Sequence, residues 1–247
     1  MSALLILGIC TVMVGTSFLS GVFGMAGGMV LIGVLLTVLP VPTAMALHAV
    51  TQIASNGWRA ALWWRHVRWR VVAAYIVGCS IALAVWSAWL FVPSKPLALL
   101  FLGVTPFLAR LIPEGRRLTP DRFGHGVTIG GTCMSLLLLT GVAGPLLDQF
   151  FLGGSLERRQ IIATKGMCQI FGHATKLLYF GVLIENVGTV DPTLAGLAIA
   201  SAMLGTLLSK KVLEAMSDTQ YRRWAGHIIT AVSGFYVLQG SWLLATG

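Results

Sequence analysis

The chain has 247 residues, of which 56% are hydrophobic and 10% charged, with a net charge of +9 and a mean hydropathy of +0.85. Soluble chains carry about a quarter charged residues, so most of this surface faces lipid, and the length suits roughly six to eight crossings of about 20 residues. No Gly-Lys-Ser/Thr Walker end and no His-Glu-x-x-His occurs, which leaves an ATPase motor or a zincin site without support.

In chain order, MSALLILGIC lacks a basic leader and a small-residue cleavage site, and reads as a first membrane segment that stays. Apolar stretches then run over 4–39, 44–64, 71–92, 96–112, 123–156, 160–184, 191–209 and 226–245. The first and fifth, 36 and 34 residues long, exceed one crossing. Glycine interrupts each near its middle, at GVFGMAGG (Gly21 to Gly28) and TGVAGP (Thr140 to Pro145). Each is expected to be a helix–break–helix unit with both ends on one side, as a re-entrant hairpin or as two crossings. The cysteines Cys10, Cys79, Cys133 and Cys168 sit inside apolar runs, which fits small buried residues and argues against a disulfide framework or zinc cluster. Trp63, Trp64 and Trp69 flank the first basic loop as interfacial anchors.

This alternation can be tested against charge. If the long units return and the others cross once, 65–70, 110–122, 157–159 and 210–223 share one side, with thirteen Lys and Arg between them. The other side holds Lys95 with the acidic Glu185 and Asp191. Such an asymmetry places the basic side in the cytoplasm and both termini in the periplasm of a bacterial inner membrane. The positive charge is then topological, and nucleic-acid binding is unnecessary.

A shift of 117 residues lays Gly24-Met-Ala-Gly27-Gly28 over Gly141-Val-Ala-Gly144-Pro145, and Gln52-Ile53 over Gln169-Ile170. The chain reads as a duplication, 1–122 and 123–247, within one membrane domain. Each copy holds a glycine-broken hairpin plus three transmembrane helices. Three crossings is an odd number, so the copies are expected to be inverted, giving an all-α polytopic protein with two inverted-topology repeats. Secondary transporters of this architecture bind substrate near the midplane, between the repeats.

Of seventeen Lys and Arg, only Arg59, Lys165 and Lys176 fall inside the spans, all on the helices after the breaks. A cation at a helix centre costs about 2.5–3.5 kcal/mol on insertion scales and normally faces the bundle interior. His48, Gln52, Asn56 and Arg59 follow one another at steps of four, four and three, as do Lys165, Gln169, His173 and Lys176. These steps keep each set on one helical face. Inverted copies make the two ladders antiparallel, with His48 and Lys176 toward the outer mouth, Arg59 and Lys165 toward the inner, and the glutamines central. Against a path-lining role, Arg59 and Lys165 are each six residues from a basic loop, within snorkelling reach. His48 and His173 are proton-coupling candidates or satisfied core residues, and the glutamines are ligands or helix glue. Gly24, Gly27, Gly28, Gly141 and Gly144 either allow close helix packing or expose helix-start amides that bind anions. Asp148, the one acid inside an apolar segment, either neutralises a lysine or accepts a proton.

GVFGMAGGMVLIGVLL, the helix after it and WRHVRWR resemble the start of the sulfite exporter TauE/SafE family, and TGVAGPLL repeats the theme. The resemblance covers nearly the whole chain. Ala26 replaces one glycine of the family's run, and Gly33 stands where its proline is expected. The resemblance implies transport of small, often sulfur-containing anions such as sulfite or organosulfonates. The expected partners are that anion, membrane lipid and a second copy in a homodimer, with no cofactor or metal. The alternatives are an anion channel or a small-carboxylate transporter. A membrane enzyme lacks a nucleophile or metal constellation in the spans.

Overall fold

The computed structural model describes residues 2–23, 26–184 and 190–246. Every regular element among them is helical: α1 (Ala3–Phe23), α2 (Ala26–Val38), α3 (Val41–Leu62), α4 (Trp69–Trp89), α5 (Lys95–Arg110), α6 (Phe123–Thr140), α7 (Gly144–Leu152), α8 (Arg158–Leu178), α9 (Pro192–Ala215) and α10 (Asp218–Thr246). Five combine the length and apolarity of a membrane span, namely α1, α4, α6, Pro192–Val212 of α9 and Arg223–Thr246 of α10. With 22 and 21 residues, α3 and α8 have the length, but their polar ladders dilute the apolar character.

Each long apolar segment pairs a helix of spanning length, α1 or α6, with a shorter one. α2 has 13 residues and α7 has 9, so they rise about 20 and 14 Å, short of the ~30 Å hydrocarbon core. α2 is enclosed by protein, with Ala26 to Met29 all buried, as backbone near a break inside a bilayer has to be. In the second unit, α6 ends on Gly141, whose φ of +82° is left-handed and whose N–H donates to the Leu137 carbonyl. Only glycine takes that conformation without strain. The Val142 N–H then donates to Thr140 Oγ1 at 3.1 Å, and α7 starts with Pro145 in its first turn, where a missing N–H breaks no helical bond. In the first unit α1 stops at Phe23 and α2 starts at Ala26. Gly24 lies outside the described residues, as does Glu185.

Four helix pairs carry the bundle. α1 runs parallel to α9, with Gly205 against Val14 and Gly21 against Ser209. α4 runs parallel to α6, with Gly126 against Ala74 and Trp86 Nε1 donating to Ser135 Oγ at 3.0 Å. α3 and α8 are antiparallel, since His48 meets Lys176 while Ala60 faces Gly166. α5 and α10 are antiparallel, since Leu100 faces Gly240 while Arg110 donates to Thr230. Glycine at the α1–α9 and α4–α6 crossings lets backbones touch, the usual means of helix association in lipid.

The basic loops meet at one end. The Arg159 guanidinium lies 4.9 Å from the Trp63 ring centroid, Arg68 N–H donates to Thr164 Oγ1 at 3.0 Å, and Ser155 Oγ donates to Asp121 at 2.7 Å. Trp64 and Trp69 are exposed at this end, as interfacial anchors are. Helix directions carry Ala3 and Thr246 to the opposite end, where Tyr179 OH donates to the Phe91 carbonyl at 3.0 Å. At Gly33, a Cβ would overlap the Tyr236 ring. Tyr236 OH donates to the Met29 carbonyl at 3.1 Å, so α10 pins α2 where a proline was expected.

Candidate functional site

The starts of α2 and α7 border one cavity beside the crossing of α3 and α8. Its volume is about 20 Å³, and it is lined by Gly28, His48, Gln52, Tyr75, Leu137, Val142, Ala143, Gly144, Leu147, Gln169 and His173. That is room for about one water. The polar lining is drawn from both halves: a glutamine, a histidine and a half-helix start from each. First-turn amides have no intrahelical acceptor, and the positive end of the helix dipole lies there as well.

Lys176 stands next to this cavity and is fully buried. Its Nζ lies 2.8 Å from His48 Nδ1 and donates to the Gly141 carbonyl at 3.1 Å. His48 Nε2 is 3.0 Å from the Gly28 carbonyl, an atom that only accepts, so Nε2 carries the ring proton and Nδ1 accepts from Lys176. A single chain of hydrogen bonds therefore runs from the Gly28 carbonyl through His48 and Lys176 to the Gly141 carbonyl. It ties one glycine break to the other across the midline of the bundle. Among the described residues, no carboxylate pairs with Lys176, whereas Lys165 pairs with Asp148. His173 faces His48 edge-on, ring centroids 5.5 Å apart, and its Nδ1 is buried without a partner. A buried unpaired nitrogen of this kind requires an explanation, and a ligand in the cavity would provide one.

The remaining expected site residues lie elsewhere. Gly27 is seated on α1, where a Cβ would overlap the Thr16 carbonyl oxygen, so it serves close packing. Asn56 Nδ2 donates back to the Gln52 carbonyl at 2.9 Å, and its Oδ1 accepts from Arg59 Nη2 at 2.9 Å. Arg59 also donates to the Ser20 carbonyl at 3.3 Å. It is half-buried, on the basic-loop side of the cavity. Lys165 pairs with Asp148 in a partly exposed position, their side chains 17% and 29% accessible. Asp148→Asn should therefore change the stability by less than about 1 kcal/mol, as partly exposed ion pairs do. Thermal unfolding in detergent checks this, and a shift of ten degrees would contradict it.

Tyr75 was not anticipated. It comes from α4, is buried, and stands as the one phenol in the apolar stretch 71–92. That isolation was the available signal, but its cavity position depends on α4 packing beside α8.

These features define a multi-pass membrane protein built around two half-helices that meet over a polar, lysine-braced centre. The family model described as Sulfite exporter TauE/SafE matches residues 7–236, and the chain belongs to this family, whose description is one of membrane transport. Comparison with curated proteins and with solved structures gives no match.

Proposed function

We propose that the protein is a secondary transporter that moves a small anion, sulfite or an organosulfonate, by alternating access around the cavity where the two half-helices meet. The carrying observation is Lys176, a buried lysine with no acidic partner among the described residues, adjoining a cavity lined by glutamines and half-helix starts. An anion entering there would become its counter-charge, with Gln52 and Gln169 as donors and His173 Nδ1 beside it. Room for one water is too small for an oxyanion of four or more heavy atoms, so loading requires expansion. This favours a carrier over an open channel.

The inverted repeat is part of the same reading. The 117-residue shift lays α3 over α8, and α5 takes the same place in the first copy's helix order as α10 in the second; both pairs are antiparallel. The α1–α9 pair corresponds to α6–α4, and both are parallel. The half-helices start at the centre and run to opposite ends, as inversion requires. With the basic loops in the cytoplasm, both termini are periplasmic in a bacterial inner membrane.

Proteoliposomes should take up labelled sulfite or a sulfonate saturably. Gln52→Leu and Gln169→Leu should each lower uptake about tenfold, the equivalent of one hydrogen bond to a charged ligand. Uptake that does not saturate, or that neither leucine alters, would remove the assignment.

A further inference from the structure

We propose a second anion-contact site: the hydroxyl-rich seam between α1, α3 and α9, around Arg59, through which the anion passes between the central cavity and the basic-loop face. This rests on the transport reading above and adds the route on one side.

The buried residues of α1 are Ile9, Met13, Thr16, Ser17, Ser20 and Val22, three of them hydroxyl-bearing. Ser55, Asn56 and Arg59 of α3 face it, and Thr206 and Ser209 of α9 close the third side. All but Arg59 of these polar residues are buried. Ser55 Oγ and Thr206 Oγ1 share a hydrogen bond of 3.2 Å, and Arg59 reaches Ser55 Oγ at 3.5 Å and the Ser20 carbonyl at 3.3 Å. A serine or threonine in a membrane helix ordinarily satisfies itself on a carbonyl one turn back. Thr16 does so on Val12, at 2.7 Å, and Thr206 on Ala202, at 2.8 Å. Ser17 and Ser20, each 1% exposed, do not, and their hydroxyls have no partner. Ser20 is also the residue whose carbonyl accepts from Arg59, and Ser17 lies one turn before it on α1, so the seam offers two unpaired hydroxyl donors to the oxygens of a sulfite or sulfonate group, which accept from hydroxyl and N–H alike.

The fold itself does not require these hydroxyls. The 117-residue shift puts Cys133, Met134 and Leu137 at the positions of Thr16, Ser17 and Ser20, and Gly172 at that of Ser55. There α6 packs on α4 and α8 through apolar side chains and thiols, with Cys133, Met134 and Leu137 buried. The counterparts of Thr16, Ser17, Ser20 and Ser55 thus pack without hydroxyls, and this seam has no equivalent in the other half. It is shut in this structure: a Cβ at Gly21 would overlap Ser209 Oγ, so α1 and α9 are in direct contact. Passage requires these two helices to part.

The test uses the full-length chain with its four cysteines replaced by alanine, into which Ser17→Cys, Ser20→Cys or, as the control at the position equivalent to Ser17, Met134→Cys is introduced. The probe is 2-sulfonatoethyl methanethiosulfonate, an impermeant sulfonate that labels thiols exposed to water, applied to oriented vesicles from either face. Labelling of Ser17→Cys and Ser20→Cys from the basic-loop face should exceed that of Met134→Cys at least about tenfold, because a thiol in an apolar interface stays protonated and inert. The double variant Ser17→Ala, Ser20→Ala, which removes only two oxygens, should lower sulfite uptake about tenfold. Equal labelling at all three positions, or uptake by the double alanine variant within twofold of the parent, overturns the seam. Parent uptake in the same vesicles is read separately. If it is absent, the transport reading and the seam fall together; if it is present while the seam variants behave as controls, only the seam falls.

Discussion

Lys176→Met should assemble in the membrane almost as well as the parent and transport at the level of empty liposomes. Two energies of opposite sign make the effects separable. Methionine leaves His48 Nδ1 and the Gly141 carbonyl without their donor, at about 1–3 kcal/mol for each buried group. It also removes a cation from the bilayer centre, which returns about 2.5–3.5 kcal/mol. These nearly cancel, so the unfolding midpoint should move by only a few degrees. Flux has no such offset. The anion would enter a low-dielectric site without its counter-charge, and breaking a buried pair costs about 3–5 kcal/mol, or ~100-fold or more in affinity. Paired measurement of melting and sulfite uptake checks this. A variant that melts early but transports normally would make Lys176 a brace for the end of α6 and no more.

The cation ladders were legible because helical periodicity is a local property. Steps of four, four and three put His48, Gln52, Asn56 and Arg59 on one face, and the matching set on α8 followed from the same arithmetic. The meeting of His48 with Lys176 needed one more premise, that equivalent helices pack antiparallel. What could not be read was the difference between Arg59 and Lys176, which the 117-residue shift makes equal. Their surroundings separate them: Arg59 meets the Ser20 carbonyl of α1 and is only partly buried, while Lys176 is held by His48 and Gly141 at zero exposure. Those neighbours come from helices far away in the chain, and no pattern within one helix reveals them. The same holds for Tyr75. How far each long unit runs after its break was also hidden: α2 and α7 stop at 13 and 9 residues, whereas apolar runs of 36 and 34 residues with a break inside mark no such stop.

Gly27 and Gly28 are adjacent, yet alanine should act on them in different ways. At Gly27 a new Cβ would overlap the Thr16 carbonyl oxygen and lie 2.6 Å from the Ser20 amide nitrogen. Both are backbone atoms of α1, which cannot rotate aside as a side chain does. The first turn of α2 has to lift off α1, and with it goes the Gly28 carbonyl that accepts from His48. Overpacking a core by one methylene costs about 1–3 kcal/mol where side chains can adjust, so a backbone clash should reach the top of that range or pass it. Gly27→Ala should therefore lower both the yield of folded protein and its melting temperature, and abolish uptake. At Gly28 the nearest atoms belong to the Gln52 amide, at 3.3–3.4 Å, and a flexible side chain can yield by the few tenths of an ångström required. Gly28→Ala should fold like the parent but carry less anion, because the methyl group occupies the cavity beside Gln52. The ratio of uptake to folded protein distinguishes the two: low yield with the ratio undefined at Gly27, normal yield with a reduced ratio at Gly28. Equal behaviour of the two variants would mean that the start of α2 is not wedged between α1 and the cavity, and the half-helix could not then present its amides there.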